Sequence, residues 1–369
     1  MKNTSRQALK EIASRFRMEG KAVHFAAIGE GHIHDTFRVD TDAPGCTVYV
    51  LQMINRQVFP DVPALMENLQ RVTRHICKNK QGGASSGRIT DLILVPTFNE
   101  TFYLRDHASN YWRCFRYCHH LPVDEQKVST ALAYEAGKLL GEFQQLLSDF
   151  EAPALHEVIP GFHDLNKRLK AFREAVERAS ALRRENAKEE IHHIRHLEDE
   201  MLIVHRLGEE GIIPLRITHN DTKFNNFLFD ENGRALCLID LDTVMNGYIF
   251  YDYGDAIRTL ANTCSEDHPI LKSVGFDHQL FYHFTEGYWK TAKAFLSATE
   301  ISLLAASPAI MTYTMAVRFL TDFLQDDVYF KIRYPEHNLQ RAKNQLELLR
   351  HIYAAKAEME KSIAEITNG

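Results

Sequence analysis

Short apolar runs separated by turn residues fill the first third of the chain, a pattern typical of β-strands. Six runs predict strands, over residues 23–28, 36–39, 46–54, 89–95, 101–106 and 111–117. Apolar residues at helical spacing predict one helix over residues 5–18 and another over residues 64–78. The N-terminal part therefore reads as an antiparallel sheet with one main helix.

From residue 127 onwards the apolar residues recur mostly at helical spacing. The predicted helices cover residues 127–148, 164–208 (as one or two long charged helices), 251–261, 277–296, 299–326 and 336–365. Strand spacing returns once, in the apolar runs Phe227–Phe229 and Ala235–Ile239. Asn232-Gly233 lies between these runs, and Asn-Gly is a strong hairpin signal. The C-terminal part is thus predicted to be helical with one hairpin.

Polar residues crowd the two ends of this hairpin. The segment before it contains His219, Asn220, Asp221, Lys223, Asn225 and Asn226. Asp240 and Asp242 follow its second strand, and a hairpin folds them back beside the first group. This convergence of carboxylates, amides and a lysine suits metal-assisted phosphoryl transfer.

The spacing of these residues matches the protein-kinase catalytic loop, in which Asn follows Asp by five positions and a metal-binding Asp comes later. Asp221 is predicted to orient and deprotonate an acceptor hydroxyl. Asn226 and Asp240, with help from Asp242, are predicted to coordinate Mg²⁺. Lys223 is predicted to meet the γ-phosphate. Asp252 or Asp255 is expected to hold this loop by hydrogen bonds, or to favour the start of a helix.

The motifs HNDTKFNN, LIDLD and YDYGDAIR resemble those of the aminoglycoside phosphotransferase and choline-kinase superfamily. GEGHIHDTFRV, YVLQMIN and VRFLTDFLQDDVYF are similar to the bacterial N-acetylhexosamine 1-kinase group. The resemblance implies a bilobal protein-kinase-like α+β fold, with a nucleotide-binding N-lobe over residues 1–118 and a catalytic C-lobe over residues 119–369. It also implies ATP and Mg²⁺ as cofactors and transfer to the anomeric hydroxyl of N-acetylglucosamine or N-acetylgalactosamine.

The N-lobe residues give a less complete kinase pattern. Gly29 and Gly31 form a loop between two strands where backbone amides can approach phosphates. Gln52 takes the strand position at which many kinases have a phosphate-binding lysine. Arg56 is an alternative source of positive charge, and a surface arginine is the other interpretation.

Candidate acceptor-binding residues follow from the same comparison. His32, His34, Asp35 and Arg318 have the donors and acceptors that a pyranose requires, although His32 and Asp35 could equally stabilise their own loop. Arg318 lies on an otherwise apolar helix and therefore needs a partner. That partner is either Asp322, in an internal ion pair, or the substrate.

Composition and charge indicate where the protein acts and which partners it is expected to lack. The 369 residues carry a net charge of −6 with no long basic run, so a nucleic-acid partner is not expected. The cysteines form no CxxC pair, no signal peptide is evident, and no run approaches transmembrane length. We expect a cytoplasmic enzyme that acts on a small molecule without a membrane or an obligate protein partner.

Two other functions remain open at this point. One is a kinase for an amino alcohol or aminoglycoside, although Lys223 and Arg318 argue against a cationic acceptor. The other is a pseudokinase that binds nucleotide without turnover, which only Gln52 supports. His192, His193 and His196 share a charged helix, and we interpret them as a solvated face rather than a metal site.

Overall fold

The computed structural model describes residues 5–28, 33–45, 47–81, 92–124, 127–150 and 155–369. The chain divides into two compact units. The N-terminal unit comprises Met1–His120 with His156–Ile159, and the C-terminal unit comprises Leu121–Leu155 with Pro160–Gly369. Three residues with predicted roles lie outside the described residues, namely Gly29, Gly31 and His32.

An antiparallel sheet forms the centre of the N-terminal unit. Its strands are β1 (Ala22–Ala27), β2 (Asp35–Thr41), β3 (Val48–Ile54), β4 (Leu104–Arg105) and β5 (Tyr111–Arg116). They are arranged in the order β1-β2-β3-β5-β4. The helices of this unit are α1 (Arg6–Ala13) and α2 (Val62–Gln81). The predicted antiparallel sheet with one long helix is confirmed.

One face of this sheet carries a hydrophobic core, because alternate residues of each strand point to the same side. Leu51 of β3 and Trp112 of β5 are buried there against Leu9 and Ile12 of α1. Ser5 begins α1 by accepting a hydrogen bond from the Ala8 amide at 3.2 Å. The intervening strand residues lie on the opposite face.

Two of the predicted strands are wrong in extent. In the described part of residues 89–95, only Leu94 forms a bridge, to Phe115. β4 is two residues long rather than six. Pro96 lacks an amide hydrogen, and the chain then turns, with the Thr97 amide donating to the Thr101 carbonyl at 2.7 Å. These features end strand pairing early.

The C-terminal unit is mainly helical. Its helices are α3 (Thr130–Leu146), α4 (Leu165–Arg178), α5 (Ala181–Asn186), α6 (Lys188–Met201), α7 (Ile203–Glu209), α8 (Ile249–Leu260), α9 (His278–Ala292), α10 (Ala298–Leu303), α11 (Ser307–Leu324) and α12 (His337–Asn368). Its short strands are β6 (Arg216–Thr218), β7 (Phe227–Phe229), β8 (Ala235–Leu238) and β9 (Met245–Gly247). β6 pairs with β9, and β7 pairs with β8 as the predicted hairpin.

The charged region 164–208 is more broken than the predicted one or two helices. It forms the four helices α4 to α7. Ala179 is extended and ends α4, and Ser180 caps the next helix by accepting a hydrogen bond from the Arg183 amide at 3.2 Å. Apolar periodicity continues across such a break, so it does not reveal the cap.

One apolar stretch corrects the expectation that no run approaches transmembrane length. Among the described residues, Ala298–Leu324 is long and apolar enough to cross a membrane. Most of it is buried within the protein, where α11 packs against α4, α8 and α12. A fully enclosed core helix has the same composition as a membrane span.

Candidate active site

The hairpin brings together the two polar segments that flank it. The Ile239 amide, just beyond β8, donates to the Asn226 carbonyl at 3.0 Å. The His219 ring donates its Nε2–H to the Ile239 carbonyl at 2.9 Å. Asp240 therefore follows directly on a residue that is bonded to both parts of the loop.

Asp221, Lys223 and Asn226 form one contiguous group in this loop. Lys223 Nζ lies 3.1 Å from Asp221 Oδ1. The Asn226 amide nitrogen donates to the Asp221 carbonyl at 2.8 Å, so its oxygen points away from that carbonyl. The Asp221 side chain is 19% exposed and that of Lys223 is 40% exposed, so water and ligands can reach both. The loop thus offers a carboxylate, an ammonium group and an amide oxygen within one small volume.

Electrostatics keep Asp221 ionised. Burial raises the pKa of its carboxyl, but the charges of Lys223, His219 and Arg318 outweigh this effect and place the pKa below the ordinary aspartate value. The same ion pair raises the pKa of Lys223 above its ordinary value. Asp221 is therefore a carboxylate, and Lys223 an ammonium group, throughout the neutral pH range.

Replacing Lys223 with methionine is expected to move the acid limb of the kcat/KM profile to higher pH. Activity that needs ionised Asp221 is lost as pH falls through the pKa of that group. Without Lys223, the largest opposing influence on Asp221 is removed and burial raises its pKa. The measurement is a pH–rate profile of both proteins. Lys188→Met, at an exposed position, should leave the limb in place, and an unmoved limb in Lys223→Met would contradict the assignment of Asp221 as base.

Two residues of the site adopt left-handed backbone conformations, which asparagine and aspartate tolerate better than most residues. Asn220 has φ 65° and Asp240 has φ 62°. The Asn220 amide nitrogen donates to the Thr218 carbonyl at 3.1 Å and to the Thr243 carbonyl at 2.9 Å. These bonds stabilise the turn that leads into Asp221.

The oxygen atoms of Asn226, Asp240 and Asp242 suit a hard divalent cation. Asp240 is half-buried, whereas Asp242 is 3% exposed. Across the described chain, no group of three or more His, Cys, Asp or Glu side chains is arranged to hold a metal by itself. An amide and one or two carboxylates fit a Mg²⁺ that takes its remaining ligands from nucleotide phosphates and water.

Asp252 at the start of α8 anchors the catalytic loop. Its carboxylate accepts hydrogen bonds from the His219 amide at 2.9 Å and the Asn220 amide at 2.7 Å. Gln144 of α3 donates to the same carboxylate at 2.9 Å, and burial raises the Asp252 pKa. The expectation that an aspartate of this helix bonds the loop is confirmed. Asp255 instead lies 2.8 Å from Arg258 in a buried ion pair.

His163 is a further support that the sequence analysis missed. It is buried, and its Nε2–H donates to the Asn220 carbonyl at 2.7 Å. Burial lowers its pKa to about 3, so the ring is neutral and Nδ1 is unprotonated. No sequence signal marked this residue, because 57 positions separate it from its partner.

Arg318 lies against three aromatic rings. Its guanidinium carbon is 5.1 Å from the centroid of Phe162, 6.0 Å from that of Tyr329 and 5.5 Å from that of Phe330. The alternative of an ion pair with Asp322 is wrong. Asp322 instead accepts hydrogen bonds from the Tyr329 and Phe330 amides at 2.7 and 2.9 Å.

A second arginine, which the sequence analysis did not single out, shares the contact with Phe162. Arg168 Nη2 donates to the Phe162 carbonyl at 2.9 Å, while Arg318 lies over the Phe162 ring. Burial and the nearby charge of Arg318 lower the pKa of Arg168 to about 10. The charge near these rings is therefore positive.

The predicted residues of the N-terminal unit have different surroundings. His34 is buried, accepts a hydrogen bond from the Asn55 amide at 3.0 Å and stacks on Phe59. Asp35 is the first residue of β2 and is half-buried. Gln52 is hydrogen-bonded within the sheet, and Arg56 is exposed and lies over the Tyr111 ring. The side chain of His34 thus supports the sheet, and a ligand contact for His34 or Asp35 stays a prediction.

Comparison with known protein families agrees with the kinase-type geometry of this loop. The model of the phosphotransferase enzyme family matches residues 24–283, which is most of the chain. The chain belongs to the phosphotransferase enzyme family. The matched region contains the whole of the loop and hairpin, and membership makes the protein a small-molecule phosphotransferase.

Solved structures of small-molecule kinases share the fold of this phosphotransferase. A microcompartment-associated aminopropanol kinase is 14% identical with a TM-score of 0.66, and the match covers 96% of this chain and 99% of that one. Amicoumacin kinase in complex with AMP-PNP and Ca²⁺ is 11% identical with a TM-score of 0.60, covering 94% of each chain. Choline kinase from Cryptosporidium parvum Iowa II is 15% identical with a TM-score of 0.55, covering 90% of each. The predicted kinase-like bilobal α+β fold is confirmed.

Proposed function

We propose that the protein is an ATP-dependent kinase that phosphorylates the anomeric hydroxyl of N-acetylglucosamine or N-acetylgalactosamine and releases the sugar 1-phosphate. The observation that carries the choice of acceptor is the setting of Arg318. Its guanidinium lies over aromatic rings, and no carboxylate of the described residues forms an ion pair with it. Its charge also helps lower the Asp221 pKa, and it lies over the ring of Phe162, whose neighbour His163 bonds the Asn220 carbonyl next to Asp221.

This setting suits a neutral sugar better than an amine. A pyranose presents an apolar C–H face that can lie on an aromatic ring, and Tyr329 is 59% exposed. Hydroxyl and acetamide oxygens accept hydrogen bonds from a guanidinium, which only donates. A cationic acceptor such as an amino alcohol would be repelled by Arg318 and Arg168.

The loop residues supply the chemistry in this proposal. Asp221 accepts the proton of the anomeric hydroxyl through a carboxylate oxygen and orients that hydroxyl for attack. Lys223 offsets the negative charge that develops on the transferring phosphoryl group. Asp252 and His163 hydrogen-bond the backbone amide and carbonyl of Asn220 and thereby fix the position of Asp221. Asn226 and Asp240, with Asp242 beside them, are the proposed ligands of Mg²⁺, which supplies charge neutralisation on the phosphates when bound.

The test is ATP consumption with Mg²⁺ over a matched acceptor panel. The panel contains both N-acetylhexosamines, their 1-O-methyl glycosides, choline, 1-amino-2-propanol and kanamycin. We expect turnover with the free sugars and none with the 1-O-methyl forms, because the methyl group blocks the attacking oxygen. Equal turnover of the glycosides would reject the anomeric position. A preference for the amines would show that the acceptor is cationic and is not a sugar.

Replacing Arg318 with methionine is expected to raise KM for the sugar by about 10- to 100-fold, since one or two charge-assisted hydrogen bonds are lost. The KM for ATP should stay within about twofold. Arg195→Met, at an exposed position on α6, is the matched control and should change neither value. An unchanged sugar KM in Arg318→Met would remove Arg318 from the acceptor site.

A further inference from the structure

A row of polar side chains crosses the N-terminal sheet at the position where kinases have their lysine. Gln52 on β3 pairs with Thr36 on β2 and with Arg113 on β5. Directly paired residues of neighbouring antiparallel strands point to the same face. This face is opposite to the one that packs on α1, because Leu51 and Trp112 belong to that core.

Arg113 is a buried cation within this row. It is 2% exposed, and its guanidinium carbon lies 5.1 Å from the centroid of the Phe115 ring. Its Nε–H donates to Gln52 Oε1 at 2.9 Å. No sequence signal marks Arg113, because its significance depends on the pairing of β5 with β3.

The contact with Arg113 fixes the orientation of the Gln52 amide. A guanidinium can only donate, so the oxygen of Gln52 must face Arg113 and the NH₂ group must face the other way. That NH₂ group donates one hydrogen to Thr36 Oγ1 at 3.2 Å. Among the described residues, Thr36 is the one acceptor of this NH₂ group, which leaves its second hydrogen for a ligand, and the contact with Arg113 polarises the amide towards stronger donation.

We propose that Gln52 and Arg113 together replace the phosphate-binding lysine of β3. Gln52 supplies the donor to the α- or β-phosphate of the nucleotide, and Arg113 supplies the positive charge and holds the donor in place. In protein kinases the lysine of this strand provides both functions in one side chain. The inference rests on the proposed ATP-dependent activity and names residues for its N-terminal phosphate contact.

Arg56, the other source of charge near this strand, is a poorer fit. It is exposed and lies over the outer ring of Tyr111, at 5.5 Å from the centroid. Arg105 lies over the same ring at 5.8 Å. Neither guanidinium contacts Gln52, whereas Arg113 does so directly.

The decisive variant is Gln52→Glu, tested by the Kd values of ATP, ADP and adenosine. The new carboxylate would keep a contact with Arg113 but has no hydrogen to donate, so folding should be retained while the donor to phosphate is lost. We expect Kd for ATP and ADP to rise by about tenfold or more, since a charge-assisted contact to phosphate is lost. Kd for adenosine, which has no phosphate, should not change. Gln52→Ala should give a smaller rise in the same direction.

Arg113→Met should weaken ATP and ADP binding as Gln52→Glu does, and Arg113→Lys should restore part of the affinity. Arg105→Met is the matched control on the same sheet and should bind all three ligands like the original protein. ATP affinity unchanged in both Gln52→Glu and Arg113→Met, with the thermal midpoint alone altered, would overturn the inference and leave the kinase proposal standing. Failure of the unaltered protein to bind ATP would overturn the kinase proposal itself.

Discussion

Asp221→Asn is expected to lower kcat by about 10³-fold, the largest effect of any single substitution that we predict. Asparagine keeps the size and much of the hydrogen bonding of the side chain but cannot accept a proton from the acceptor hydroxyl. The ion pair with Lys223 at 3.1 Å is also lost. Because this substitution leaves Lys223 and the proposed metal ligands Asn226 and Asp240 unaltered, Kd for ATP should stay within about twofold. Single-turnover kinetics and ATP titration measure the two quantities separately.

Glu231→Gln is the matched control for this substitution. Glu231 is an exposed carboxylate in the turn of the same hairpin, so its replacement should leave kcat unchanged. A thermal melt of each variant checks that the fold is retained. Asp221→Asn with near-normal kcat and an intact fold would remove Asp221 from the chemistry.

Asp252→Asn is expected to lower both stability and turnover. The buried carboxylate of Asp252 accepts hydrogen bonds through both oxygens, from the His219 and Asn220 amides and from Gln144. An asparagine has one acceptor oxygen, so at least one of these donors would face an NH₂ group. The free energy of unfolding should fall by about 2–4 kcal/mol, as for other buried groups left without a partner. Displacement of the loop should lower kcat by about 100-fold.

A variant of a second buried carboxylate serves as the control, because it distinguishes general destabilisation from displacement of the loop. Glu300 is buried, and its two carboxylate oxygens accept hydrogen bonds from the Arg216 guanidinium at 2.7 and 2.9 Å instead of from the amides of the loop. Glu300→Gln should lose stability by a similar amount, measured by urea unfolding, while the remaining folded protein keeps its kcat. Equal losses of kcat in both variants would show that Asp252 acts only through stability.

The site was the part of the chain most accessible to prediction. Asp221, Asn226 and Asp240 flank a single hairpin whose strands and turn are short-range features, so a local pattern predicts that they converge. The structure joins Asn226 and Lys223 to Asp221, and it bonds Ile239, the residue before Asp240, to the Asn226 carbonyl. Their roles in catalysis and metal binding stay predictions that the variants above address.

The residues that support the site could not be predicted from local sequence pattern. His163, in the turn before α4, bonds the loop directly, and Gln144 of α3 acts through Asp252. A single sequence contains no signal for contacts between such distant elements. Arg113 is an ordinary strand residue until the register of β3 with β5 places it opposite Gln52. The breaks within residues 164–208 occur at helix caps such as Ser180. In a sequence, a cap residue is a weaker signal than the helical periodicity that continues across it.

The position of the phosphate in the product tests the central claim most directly. The protein would be incubated with ATP, Mg²⁺ and N-acetylglucosamine or N-acetylgalactosamine, and the product examined by ³¹P and ¹H nuclear magnetic resonance. We expect a phosphate coupled to the anomeric proton, which identifies the sugar 1-phosphate. A phosphate coupled to any other ring or side-chain proton, or turnover only with an amine acceptor, would contradict it.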